Sequence, residues 1–302
     1  MVNSPNTRGA VLMMASMIAF TVNDACMKSL SDEVPLFQAI FLRGLATCVF
    51  LAFMAWRTGA FKVRIPRRDI GLVAIRSSAE VVAAYLFISA LFNMPIANVT
   101  AILQALPLTV TLASAVVFRE ALGWRRMSAI LVGFFGVLLI VRPGAEGFNY
   151  YSVYAVLAVL VITVRDLAAR RLSVDVPSMA VALSAAVAVA LFAGIASIGS
   201  EWVPVSGKAA WQISGATLFI IGGYLFSVMT MRVGDIDFVA PFRYTSLLCA
   251  LILGLFVFGE WPDKLTLIGS TIVVATGAFT LYRERRIVRA VEPVTVLLRT
   301  RK

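Results

Sequence analysis

Apolar stretches long enough to cross a bilayer follow one another along this chain with little between them. A spanning helix needs about 20 predominantly apolar residues. Dividing the sequence at its polar, glycine and proline positions gives ten such stretches, at 9–30, 35–57, 69–92, 95–118, 124–141, 150–171, 177–198, 209–231, 237–258 and 265–283. Nothing is left over for a soluble domain. The pattern predicts an all-α membrane protein of ten transmembrane helices, with a cytoplasmic N-terminus over 1–8 and a basic cytoplasmic tail over 284–302.

Composition agrees, since the 302 residues are 60% hydrophobic and only 14% charged. A net charge of +11 would suggest nucleic acid in a soluble domain, but here the basic residues lie between apolar runs, so no nucleic-acid partner is expected and the bilayer is. With both ends inside, nineteen loop and tail Lys/Arg residues fall on the cytoplasmic side and four, Lys28, Arg142, Lys208 and Lys264, on the other. Retained positive charge marks the cytoplasmic face. The chain has no histidine, which removes histidine metal sites and histidine-dependent triads. Cys26, Cys48 and Cys249 share no metal-binding spacing and read as packing residues. No metal and no cofactor are expected, and no GxxxxGK loop supports direct ATP drive.

The second half of the chain repeats the first. Thr21-Val22-Asn23-Asp24, Leu30-Ser31 and Val34-Pro35 recur 142 positions later as Thr163-Val164-Arg165-Asp166, Leu172-Ser173 and Val176-Pro177. Tyr85-Leu86-Phe87 matches Tyr224-Leu225-Phe226, and Phe118-Arg119-Glu120 matches Phe258-Gly259-Glu260. Each unit, 9–141 and 150–283, has five crossings. An odd number forces the second to enter from the opposite side, which defines two inverted five-helix repeats, an architecture of transporters with a binding site near the midplane.

Ionisable and polar groups at membrane depth are costly and are default candidates for function. Arg43, Arg76, Glu80 and Arg243 lie inside apolar stretches, as does Arg165 beside Asp166. Helical spacing places Asp24 with Lys28, Asp166 with Arg170, and Arg76 with Glu80, each pair four apart on one face. Asp24 and Asp166, at corresponding positions of the two repeats, read either as gating or proton-coupling groups or as structural ion pairs. Arginine suits carboxylate, phosphate or imide oxygens. Gln104 near Pro107, and Tyr244 near Pro241, put polar groups beside helix breakers. Tyr85, Tyr224 and Tyr244 offer faces for a planar ligand. The expected substrate-binding set is therefore Arg43, Arg76, Glu80, Tyr85, Gln104, Tyr224, Arg243 and Tyr244. Gly133, Gly136, Gly269 and Gly277 predict close helix contacts, within the chain or in a homodimer.

The five-plus-five plan, the two motifs closing helices four and nine, and Arg43 in Phe41-Leu42-Arg43 resemble the drug/metabolite transporter superfamily, in particular its EamA-type members. The resemblance covers roughly 9–283. It implies a bacterial inner-membrane transporter, not an enzyme, with a small-molecule cavity between helices one to four and six to nine. Phe20 to Asp24 and Pro241-Phe242-Arg243-Tyr244 are similar to importers of riboflavin or S-adenosylmethionine. Counting three buried arginines against Glu80 favours riboflavin import. S-adenosylmethionine import and amino-acid export are the alternatives. An intramembrane aspartyl enzyme built on Asp24 and Asp166 is the rival class, but the chain lacks a GxGD pattern.

Overall fold

The computed structural model describes residues 5–62, 65–119, 123–144, 148–173, 175–233 and 236–299, and side chains up to residue 283 except those of 62, 228, 231, 232, 236 and 237. The expected N-terminal residues 1–4, Glu120 of the helix-four motif and the basic side chains of 284–302 lie outside that set. Ten helical spans in it are long and apolar enough to cross a membrane. The chain is an all-α, multi-pass membrane protein, as its hydropathy pattern predicts.

The first repeat contains α1 (Pro5–Lys28), α2 (Leu36–Arg57), α3 (Arg67–Asn93), α4 (Ile96–Leu103), α5 (Leu106–Phe118) and α6 (Trp124–Val141). The second contains α7 (Tyr151–Arg171), α8 (Ser178–Ala196), α9 (Gly207–Val233), α10 (Ile236–Val239), a 3₁₀ turn at Ala240–Tyr244, α11 (Thr245–Phe258) and α12 (Lys264–Arg299). Proline sets several helix starts: Pro35, Pro66, Pro95 and Pro177 stand immediately before α2, α3, α4 and α8. Its missing N–H costs nothing there, because the first amides of a helix have no intrahelical partner.

The fourth and ninth crossings are interrupted where the sequence sets Pro107 and Pro241 as breakers, and the helix of the tenth crossing, Lys264–Arg283, continues to Arg299. The fourth breaks between α4 and α5 at Gln104-Ala105, where Pro107 cannot donate to the carbonyl four residues back. Tight bonds from the Gln104 amide to Thr100 and Ala101, and from Ala105 to Ile102, keep the backbone satisfied within the membrane. The ninth breaks 140 positions later, at Tyr244-Thr245. Both crossings end in a left-handed cap at corresponding positions, Arg119 with φ 55° and Gly259 with φ 65°.

The packing repeats the same symmetry. α1 lies along α9 and α3 along α7, while α2 packs on α8 and α6 on α12. Exchanging the halves turns the α1–α9 contact into α7–α3 and returns α2–α8 and α6–α12 to themselves. That self-mapping is what a two-fold axis between the repeats produces, and the odd crossing number lays the axis in the membrane plane. α6 and α12 cross closely at Gly136 and Gly269. A methyl group at Gly269 would stand 2.5 Å from the Gly136 carbonyl oxygen, and one at Gly136 would stand 2.9 Å from that of Gly269. Small residues let membrane helices approach this closely, and van der Waals packing then holds them.

One contact breaks the symmetry. α4 packs on α11 at the end of the bundle where α1 finishes, called here the far end. Its symmetry counterpart at the opposite end, where α1 begins, would set the α10 region against α5, and no comparable contact joins those two among the described residues. The bundle is closed at the far end and looser at the other.

Candidate functional site

A cavity of about 100 Å³ lies at mid-span between α2, α3, α8 and α9. Charged and polar side chains reach it from the first repeat: Arg43 and Thr47 from α2, and Arg76 and Glu80 from α3. The second repeat supplies Tyr224 from α9 and a floor of Ala182, Ala185 and Ala186 from α8. Ala185 stands 142 positions after Arg43, so the two halves meet as large against small. The alanines make room for the guanidinium.

Glu80 is held from the second repeat. Arg165 on α7 approaches its carboxylate at 3.3 Å and, through a second nitrogen, Asp166 at 2.8 Å. Arg43 donates to the Asn23 side chain at 3.4 Å, the Asn23 amide donates to Asp24 at 2.9 Å, and Asp24, Tyr224 and Glu80 all lie within electrostatic reach of Arg43. Arg76 donates to the Val181 carbonyl at 3.4 Å. Around the cavity, then, the guanidiniums of Arg43, Arg76 and Arg165 meet the carboxylates of Asp24, Glu80 and Asp166. Each of these side chains is half-buried.

All three i to i+4 pairs expected from helical spacing give way to partners on other helices. Lys28 pairs with Glu260 instead of Asp24, at 3.2 Å. Arg170 donates to Ser114 Oγ at 2.5 Å instead of pairing with Asp166. Glu80 takes Arg165 in place of Arg76. An ion pair along a single exposed helix is worth only about 0.2–0.5 kcal/mol. At membrane depth a cross-helix partner that also relieves desolvation outweighs it.

The rest of the expected binding set disperses. Tyr85 stacks on Phe37 with ring centroids 5.8 Å apart and touches Tyr154 and Phe192. Gln104 donates to Ser246 Oγ at 2.6 Å, tying α4 to α11 near their breaks. Arg243 is exposed. Tyr244 is 8% exposed and lies against Gly277 of α12. None of these four lines the cavity. Tyr224 does, braced edge-on by Phe20 at 5.5 Å. The binding set expected from the sequence leaves out Arg165, although that residue is counted among the ionisable groups at membrane depth. The available signal was its place 142 positions after Asn23, the residue that bonds Arg43.

Inverted repeats closing over a charged mid-membrane cavity define a transporter architecture. The EamA-like transporter family model matches residues 7–142 and 149–282, and the chain belongs to that family. It is 22% identical over 294 residues to an S-adenosylmethionine uptake transporter of Rickettsia prowazekii (strain Madrid E), covering 92% of this chain and 94% of that one. To a riboflavin transporter of Vibrio cholerae it is 26% identical over 284 residues, covering 90% and 92%. To the pseudopaline exporter CntI of Pseudomonas aeruginosa it is 23% identical over 279 residues, covering 88% and 93%. A solved crystal structure of a protein with 20% identity superposes with a TM-score of 0.65 over 92% of this chain and 98% of its own, a likeness of fold.

Proposed function

We propose that this chain is a secondary transporter of the bacterial inner membrane, with both termini cytoplasmic, that carries a small organic metabolite by alternating access through the Arg43–Arg76–Glu80–Tyr224 cavity. The observation that carries this reading is the convergence of three guanidiniums and three carboxylates between two inverted repeats. Charges at this depth are costly unless paired or facing a polar path. Two helix breaks at corresponding positions, with far-end closure that its counterpart lacks, supply halves able to exchange roles. With the termini inside, the described conformation is shut toward the outside.

The charge balance bears on the substrate. Riboflavin import rests on an arginine excess, and that excess shrinks once Arg165, Asp24 and Asp166 join the cluster and Arg243 leaves it. A balanced cluster suits a metabolite bearing both a carboxylate and a cation. We place S-adenosylmethionine, the substrate named for the Rickettsia relative, ahead of riboflavin, and keep amino-acid export, whose zwitterions the cluster suits equally, as the alternative. Catalysis by paired aspartates finds no support, because a shared-proton dyad needs two adjacent carboxylates, whereas Asp24 takes its bond from Asn23 and Asp166 takes its own from Arg165.

Uptake of labelled S-adenosylmethionine, riboflavin and amino acids into proteoliposomes, with and without a pH gradient, tests the assignment. Saturable uptake with counterflow of one compound is expected. Failure of the whole panel to show saturation or counterflow would reject transport of these classes. Non-saturating flux would indicate a channel.

A further inference from the structure

A second, larger cavity lies on the membrane face of the bundle and has no place in the transport path described above. It measures about 440 Å³, and its wall includes Ile102 and Ala105 at the α4–α5 break, Thr109 on α5, Phe134 and Val137 on α6, and Val156 on α7. The lining is apolar apart from Thr109, whose hydroxyl is engaged with Thr163 at 2.7 Å. Nothing in it can satisfy a polar metabolite. Its volume falls within the roughly 300–1,000 Å³ typical of ligand sites. It runs from the middle of the span toward the far end, so it opens within one leaflet.

The second repeat shows how the corresponding groove is filled. The matched motifs at Phe118 and Phe258 set an offset of 140 positions, which places Gly277 at the position of Val137 and Tyr244 at that of Gln104. Tyr244 turns its ring outward against Gly277, so closely that a methyl group there would overlap it. The ring is nearly inaccessible, and its hydroxyl has no hydrogen-bond partner, so it serves as an apolar plug. In the first repeat Gln104 turns inward to Ser246 instead. Among the described residues no side chain takes the place of the tyrosine ring, and the space beside Val137 is left open.

We propose that this groove is a binding site for one acyl chain of a bilayer phospholipid, seated behind the α4–α5 break where the second repeat uses Tyr244. A groove wall at bilayer depth without hydrocarbon beside it forfeits its dispersion contacts. Because lipid tails gain nothing hydrophobically by leaving the bilayer, the preference for this site comes from packing against its walls. Acyl-chain binding there does not depend on which metabolite is carried, and its test needs no substrate.

The probe is a phosphatidylethanolamine with a photoreactive diazirine at mid-chain, reconstituted with the full-length protein, with adducts mapped by mass spectrometry. Adducts should concentrate on Phe134, Val137 and Val156, at least five-fold above exposed apolar positions such as Leu131 and Leu218. Val137→Trp should reduce groove adducts several-fold, with Val156→Phe as the equivalent from α7 should the first variant not insert. Tyr244→Ala should add adducts around Gly277. Even labelling of all exposed apolar positions, groove labelling indifferent to both filling variants, or no new adduct in Tyr244→Ala would overturn the proposal. A protein-to-protein cross-link from a photoreactive residue at Phe134 would also overturn it, placing a second copy there instead.

Discussion

Lys28, at the last turn of α1, grips Glu260, just past α11, across the boundary between the repeats, with Nζ 3.2 Å from Oε1. The same ammonium donates to the Met94 carbonyl at 2.6 Å, and Glu260 Oε2 accepts the Ile96 amide at 3.1 Å. Lys28 also sits 5.5 Å from the centre of the Phe258 ring, and the symmetry counterparts Arg170 and Phe118 keep that contact at 5.6 Å. With a further bond from Lys28 to the Leu91 carbonyl at 3.4 Å, the far end is thus fastened by one ion pair, three backbone groups and a ring.

Removing that fastening should open the far end. The pair is mostly buried, so Glu260→Gln should cost on the order of 2 kcal/mol, between the values for exposed and fully buried pairs. A cysteine introduced at Leu91, fully buried in the closed bundle, should then react with a membrane-impermeant maleimide at least ten-fold faster than in the unmodified background. An unchanged rate would mean that the helices hold the far end shut without the ion pair.

The two arginines near midspan should behave differently. Arg43→Ala removes a cavity guanidinium and should raise the KM for uptake ten-fold or more, in keeping with the loss of one charge-assisted contact. Arg243→Ala, at an exposed position off the cavity, should stay within about two-fold of the parent, a change of under ~0.5 kcal/mol. Equal losses in the two variants, measured side by side in proteoliposomes, would contradict this placement of the site.

Glycine at 269 is required by the backbone of α6, not by its own conformation. Gly269→Leu should push α12 off α6 and destabilise the bundle by about 1–3 kcal/mol, the usual cost of overpacking. The thermal midpoint in detergent should fall by several degrees. Gly71→Leu, where nothing lies within 4 Å, is the control and should leave it unchanged.

Two loop carboxylates predict an acid response. Hydrogen bonds from Lys208 and Ser206 hold the Glu33 carboxyl below the usual glutamate range. For Asp263, burial raises the pKa but is outweighed by the Thr266 amide and Arg142, for a net lowering. A lowered folded-state pKa contributes stability that is complete above the unfolded value and is lost as pH falls through the folded one. Protection factors around 29–35 and 259–263 should therefore stay constant between pH 8 and about 5, then fall below roughly pH 4. Lys208→Met should move the Glu33 step to higher pH. A fall in protection already near pH 6 would contradict these assignments.

Much of the architecture was legible from hydropathy because the bilayer leaves few choices. A backbone in hydrocarbon must satisfy its own hydrogen bonds, so runs of about 20 apolar residues become helices. The breaks at Gln104-Ala105 and Tyr244-Thr245 were half-legible through Pro107 and Pro241. Periodicity could not say that Gln104 would turn inward and Tyr244 outward, because that choice depends on what stands opposite, Ser246 in one case and Gly277 in the other.

The amino-acid sequence by itself determined ten crossings, their inverted duplication and which charges lie at depth, all consequences of short-range composition in a solvent that cannot accept polar groups. Only the tertiary structure decided the partners: Glu80 with Arg165, Lys28 with Glu260, and Arg43 facing the alanines of α8. Helical spacing offers each charge a weak neighbour on its own helix. Packing at membrane depth supplies a stronger one from another helix, and spacing along one helix cannot show which helix will face it.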